Sequence, residues 1–163
     1  MRDPRGIVSR KHHCRKRTPY SRPVRAMDFG SGFYTTSSQD QAKSWADEVS
    51  RTRGGEPIIN IYEFDEEKTT SDLNILKFES ANREWLSFVI SNRHGNNTMD
   101  YDVVIGPVAN DTIYTTIAGF ENGLYTVEET VSRLKTGTLY DRILFHTERS
   151  LRYISFIGSE DTR

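Results

Sequence analysis

Two aromatic residues eleven positions apart, Tyr34 and Trp45, follow a pair of glycines, Gly30 and Gly32. Glycine lets a ligand approach the backbone, and two aromatic faces nearby can hold a flat ring between them. The same spacing also fits two ordinary core aromatics beneath a helix. Gly30 and Gly32 lack a third glycine at Rossmann spacing, and no Gly-Lys-Ser/Thr string occurs, so those two nucleotide-binding folds are excluded. His12-His13-Cys14 offers only adjacent donors where a tetrahedral zinc site needs separated ones, and no metal is expected. Near the C-terminus, Arg142 precedes an apolar run, and Glu148 and His146 stand just after it; Glu148 also reads as a solvated turn residue and His146 as a core or turn histidine.

The elements that must position these residues follow from periodicity. Phe33-Tyr34-Thr35-Thr36 suits a strand. Ser37 or Ser38 then caps a helix whose Ala42, Trp45, Ala46 and Val49 share one face, and Gly54-Gly55 ends it. Pro57 to Phe64 alternates as a central strand, and Leu73 to Phe78 forms another. Asp65-Glu66-Glu67 with Lys68 reads as a solvated loop. Ser80 caps a helix to Arg93 that presents Trp85, Phe88, Val89 and Arg93. A strand from Asp102 to Ile105 stops at Gly106-Pro107, and Asn110 or Asp111 caps a helix through about Phe120. A helix over Val127 to Lys135 and short strands at Ile143 to His146 and Tyr153 to Ile157 complete the chain. The mixture lacks a regular βαβα alternation, which favours an α+β domain with a split, mixed sheet and short flanking helices.

A length of 163 residues fits one domain. The net charge of −1 conceals two compositions: residues 1–26 hold nine Lys and Arg against Asp3 alone, +8, leaving 13 basic against 22 acidic residues, −9, in the remainder. The leader has few apolar side chains and no sustained period, so it is expected to be a disordered coil, followed by a domain over 27–159 and a tail at 160–163. The acidic remainder makes nucleic acid an unlikely partner. A single cysteine, no secretory signal pattern and no apolar run near 20 residues point to a cytoplasmic protein without membrane contact.

Asp28 to Thr36, with Gln41-Ala42-Lys43-Ser44-Trp45-Ala46, resembles the corresponding segment of the ADP-ribosyltransferase superfamily, which has a Gly-x-Gly-hydrophobic-Tyr strand and a second aromatic eleven positions on. Tyr101 to Asp111 and Phe145-His146-Thr147-Glu148 extend the likeness to a bacterial domain-of-unknown-function family, number 3990, grouped with these enzymes. The resemblance implies that NAD is the substrate, that Tyr34 and Trp45 enclose its nicotinamide, and that Gly30, Gly32, Phe33 and Thr35 belong to the floor. It further implies transfer to an unidentified ADP-ribose acceptor and an antitoxin-like protein partner.

The chain departs from the pattern twice. No Tyr-His-Gly-Ser strand precedes Tyr34, although codons allowed by Ile7 to Pro19, read one nucleotide later, can spell one; a shifted frame would account for the +8 leader. Arg142 stands where the superfamily carries glutamate, and a guanidinium beside a developing ribosyl cation opposes the reaction unless it points away. Glu148 could supply the carboxylate instead. The expected function is therefore a mono-ADP-ribosyltransferase-like domain of toxin type, with catalysis impaired by these losses; the alternative is an inactive remnant that binds NAD or a protein.

Overall fold

Seven strands and five α-helices follow one another along the described residues of the computed structural model, which are 5–10, 28–95, 100–108, 111–135 and 140–162. One sheet has the order β1 (Arg5–Arg10), β3 (Ile58–Phe64), β7 (Ile154–Asp161), all antiparallel. The other runs β2 (Phe33–Thr35), β6 (Tyr140–Phe145), β5 (Val103–Val108), β4 (Ile75–Lys77), and its β4/β5 pair is parallel. The helices are α1 (Gln39–Arg53), α2 (Glu66–Asp72), α3 (Arg83–Arg93), α4 (Asp111–Glu121) and α5 (Val127–Leu134). This is the α+β class with a split, mixed sheet.

Alternation along the strands of the second sheet divides the core. Tyr34, Leu76, Val104 and Leu144 face Trp85, Leu86, Val89, Ile113, Ile117 and Leu134 of α3, α4 and α5. Phe33, Ile75, Val103, Ile105, Ile143 and Phe145 face the first sheet through Phe64 and Tyr62. With both faces covered, β5 and β6 read as continuous apolar runs. Ala42 and Ala46 of α1 close over Ile59 of β3.

Local chemistry sets the boundaries, and several differ from the sequence expectations. Ser38 caps α1 by accepting the Gln41 N–H at 3.2 Å, and Gly54 ends the helix at φ 75°. Asp65-Glu66-Glu67 opens α2 rather than forming a loop: Asp65 accepts from the Lys68 N–H at 3.1 Å, and Glu66 and Glu67 favour the first turn electrostatically. α3 is capped by Asn82, which accepts from the Trp85 N–H at 2.9 Å, not by Ser80. β5 continues through Gly106-Pro107; β4 ends at Lys77, so past Ile105 one side of β5 has, among the described residues, no ladder partner in which a missing N–H would count. The C-terminal tail is strand as far as Asp161, and the Thr162 N–H donates to Pro57 at 3.0 Å.

The coil expectation for the leader fails at Arg5–Arg10, which pairs with β3 from Arg5↔Phe64 to Arg10↔Ile59. A strand edge offers backbone partners whatever the apolar pattern of the segment that joins it. The rest of the leader, including His12-His13-Cys14, lies outside the described residues.

Candidate functional site

The glycine loop meets β6 before any ligand could. Gly30 has φ 91° and Gly32 φ 150°, and a Cβ on Gly32 would stand 2.4 Å from the Phe145 carbonyl oxygen and 2.7 Å from Leu144 Cδ1. The strand itself therefore requires glycine at 32. Gly32→Ala is expected to destabilise the fold by about 2–4 kcal/mol, combining a backbone clash with a φ that L-residues avoid; a loss below about 1 kcal/mol in urea unfolding would refute this.

The Tyr34 hydroxyl donates to the Gly30 carbonyl and ties the loop to β2. Phe33 and Thr35 point to the opposite face. Phe33 packs edge-on against Tyr62 with centroids 5.5 Å apart, and the Thr35 hydroxyl donates to the Ile143 carbonyl at 3.0 Å. Of the side chains expected to floor a slot, Tyr34 is thus the one on its side of the sheet.

Arg142 lies two residues before Leu144, the residue paired with Tyr34, and so shares the Tyr34 face. Its guanidinium carbon sits 5.1 Å from the Tyr34 ring centroid and 5.2 Å from the Trp45 ring. The arginine does not point away: it is buried against both aromatic rings, at 8% exposure. Tyr114 hydrogen-bonds to the guanidinium, but among the described residues its buried Nε has no partner, nor has Oε1 of Gln41, one helical turn before Trp45. An unsatisfied buried donor costs on the order of 1–3 kcal/mol, and a desolvated cation–π contact returns about 2 kcal/mol.

An acidic side chain belongs to this cluster, and it is not Glu148. Asp28, 6% exposed, interacts with Arg142 and Arg93 and is hydrogen-bonded to Tyr114; Arg93 Nη1 is 3.7 Å from its Oδ1. Burial raises its pKa, and the two guanidiniums and the Tyr114 hydroxyl oppose that rise only in part. Burial likewise pushes the Tyr34 and Tyr114 hydroxyls up. Arg93 also approaches Glu121 at 3.5 Å and covers the Tyr114 ring. Sequence reasoning missed Asp28, Arg93 and Tyr114 as a group, although an arginine on the inward stripe of α3 signals a counter-charge inside.

Glu148 is exposed in the turn after β6, past Phe145 and away from the Arg142 end of the strand. His146 joins the glycine loop through Nδ1, 2.6 Å from the Ser31 carbonyl, and its backbone N–H donates to Asp102 at 2.8 Å. Asp102 accepts from the Thr147 hydroxyl at 2.7 Å and the Asn74 N–H at 3.0 Å. Partial burial raises its pKa, but these bonds, with the Arg149 and His146 charges, outweigh burial and hold it below 3.8.

The two carboxyls predict opposite arms of a stability profile. Asp28 binds its proton more tightly folded than unfolded, so stability falls as pH rises from 3.8 toward its raised folded value. Asp102 does the reverse: its contribution is present above 3.8 and is lost as pH falls below it. Asp28→Asn should flatten the slope above 3.8 and Asp102→Asn the slope below, each read by urea unfolding across pH; an unchanged slope refutes the assignment.

A cavity of about 460 Å³ is lined by Phe78, Ala81, Leu134 and Gly106, the residue paired with Arg142, and by the charged Lys77, Lys135 and Asp141. Among the described residues no cluster of His, Cys, Asp and Glu could hold a metal ion, and no helix is long and apolar enough to cross a membrane.

Fold and site together define an α+β domain that holds a buried arginine against two aromatic rings. Over residues 14–156 the chain matches the family described as Protein of unknown function (DUF3990), and it belongs to that family. The match begins inside the basic leader and ends within β7. No curated protein and no solved structure matches the chain.

Proposed function

We propose that this domain has an ADP-ribosyltransferase-like fold, binds NAD with its nicotinamide between Tyr34 and Trp45, and handles the ADP-ribose as a mono-ADP-ribosyltransferase-like protein of toxin type. The observation that carries the reading is that the Tyr34 and Trp45 rings both contact one flat cation, the Arg142 guanidinium, whose carbon lies 5.1 and 5.2 Å from them. The nicotinamide of NAD is also a flat cation, and the same quadrupolar attraction serves both. Cleavage of the ribose–nicotinamide bond sends the electron pair to the leaving ring and leaves a cationic ribosyl carbon for the acceptor. A carboxylate near that carbon lowers the barrier, and Asp28 is the acidic group that interacts with Arg142. The reading gives Asp28 the role expected of Glu148, keeps the protein in the cytoplasm, where NAD is available, and leaves room for an antitoxin-like partner.

One observation favours an inactive remnant: Arg142 fills the slot and adds a positive charge where the ribosyl cation would form. Nicotinamide release separates the two. The full chain is expected to be stabilised by NAD, by about 2.7 kcal/mol at a hundredfold excess over Kd, and to release nicotinamide slowly, faster as Arg142→Gln. Stabilisation without release in either protein would establish the remnant, and absence of both would remove NAD from the reading.

A further inference from the structure

We infer that the Tyr34–Trp45 slot is a site for planar organic cations that the chain fills with its own Arg142 guanidinium, an exchangeable occupant that an incoming cationic ring displaces. The inference rests on the reading of these two aromatics as a ligand slot and adds the ligand's charge class and the residue that competes for it.

Three observations carry it. The guanidinium lies nearly equidistant from the two rings, at 5.1 and 5.2 Å, so both make a cation–π contact with the same flat cation. Among the described residues its buried Nε has no hydrogen-bond partner, and neither has the buried Gln41 Oε1 of α1; the guanidinium is held by a bond to Tyr114, but its hydrogen bonding is incomplete. Asp28 interacts with Arg142 while also being held by Arg93 and Tyr114, so this carboxyl keeps its place when Arg142 leaves.

Exchange of one flat monocation for another leaves the buried charge count unchanged. A neutral ring would instead leave the Asp28 carboxylate with less compensation, and two aromatic faces attract a cation more strongly than a neutral ring of equal area. Arg142 therefore sets both affinity and selectivity: it weakens every ligand by its own occupancy and penalises the uncharged ones further. For a nicotinamide dinucleotide, the oxidised, cationic ring is preferred over the reduced, neutral one.

The test uses the full chain with probes that carry no ADP-ribose: 1-methylnicotinamide, which is a planar cation, nicotinamide, its neutral counterpart, and methylguanidinium. Binding is followed by tryptophan fluorescence and thermal unfolding in the native protein, Arg142→Ala and Arg142→Gln. Arg142→Ala is expected to bind 1-methylnicotinamide at least tenfold more tightly than the native chain, to prefer it over nicotinamide, and to gain thermal stability from millimolar methylguanidinium that leaves the native chain unmoved. If Arg142→Ala is unfolded alone, refolding by methylguanidinium supports the inference. Equal binding of 1-methylnicotinamide by the native and variant chains overturns it. So does equal binding of the charged and neutral rings, or an unfolded Arg142→Ala without rescue together with an Arg142→Gln that binds no more tightly than native. Probe binding with no response to NAD would end the NAD reading and leave the cation slot; NAD binding of equal strength in native and Arg142→Gln would do the opposite.

Discussion

Trp85→Ala is expected to lower the unfolding free energy by about 3–5 kcal/mol, a large share of the margin of a domain this size. Trp85 is fully buried at the centre of the cluster between α3 and the second sheet, so its loss removes a ring and leaves a cavity that its neighbours cannot close. Its indole N–H also donates to the Pro107 carbonyl at 3.0 Å. That carbonyl belongs to the part of β5 lying past the end of β4. Trp85→Phe separates the two effects: most of the packing stays, and the unpaired carbonyl costs about 1–3 kcal/mol. Because Pro107 follows Gly106, the partner of Arg142 on β6, the slot should loosen along with the core. Urea unfolding monitored by circular dichroism decides the matter, and a loss under about 1.5 kcal/mol for the alanine variant would show that the core closes around the gap.

What the sequence carries openly is local. The Ser38 cap, the Gly54 stop and the alternation of Ile58–Phe64 each depend on neighbours a few residues away, and they appear where the residue types put them. The spacing of Tyr34 and Trp45 is local too. The direction of Arg142 is not, because it depends on β2 and β6 pairing so that Tyr34 meets Leu144 and residues two apart share a face. A slip of one residue would have turned the guanidinium to the opposite side. Asp28 was hidden for a related reason: the groups that bury and compensate it come from positions 93, 114 and 142, and no spacing near residue 28 announces them. Arg5–Arg10 shows the limit of composition, since a basic, weakly apolar stretch still becomes a strand when β3 offers its edge. Short acidic runs mislead in the other direction, for Asp65 and the two glutamates after it satisfy a helix start and need not be solvated loop.

Tyr34→Ala is expected to abolish stabilisation by NAD, with a fall in affinity on the order of a hundredfold, while the chain remains folded. Removing the ring takes away one wall of the slot and leaves Trp45 as a single face, so a flat cation loses half of its aromatic contact and regains water on that side. The hydroxyl bond to Gly30 goes with it, and the glycine loop is freed next to Gly32, whose own tight approach to Phe145 remains. Tyr34→Phe distinguishes these contributions. It keeps the ring, so most of the NAD-induced stabilisation should survive, and any part that is lost measures what the loop anchor adds. The buried hydroxyl has a raised pKa and stays protonated at every working pH, so neither variant changes the charge of the site. Thermal shift against NAD for the native chain and both variants makes the comparison. If Tyr34→Ala responds to NAD as the native chain does, the dinucleotide binds elsewhere, and the cavity bounded by Phe78, Ala81 and Leu134 becomes the place to look.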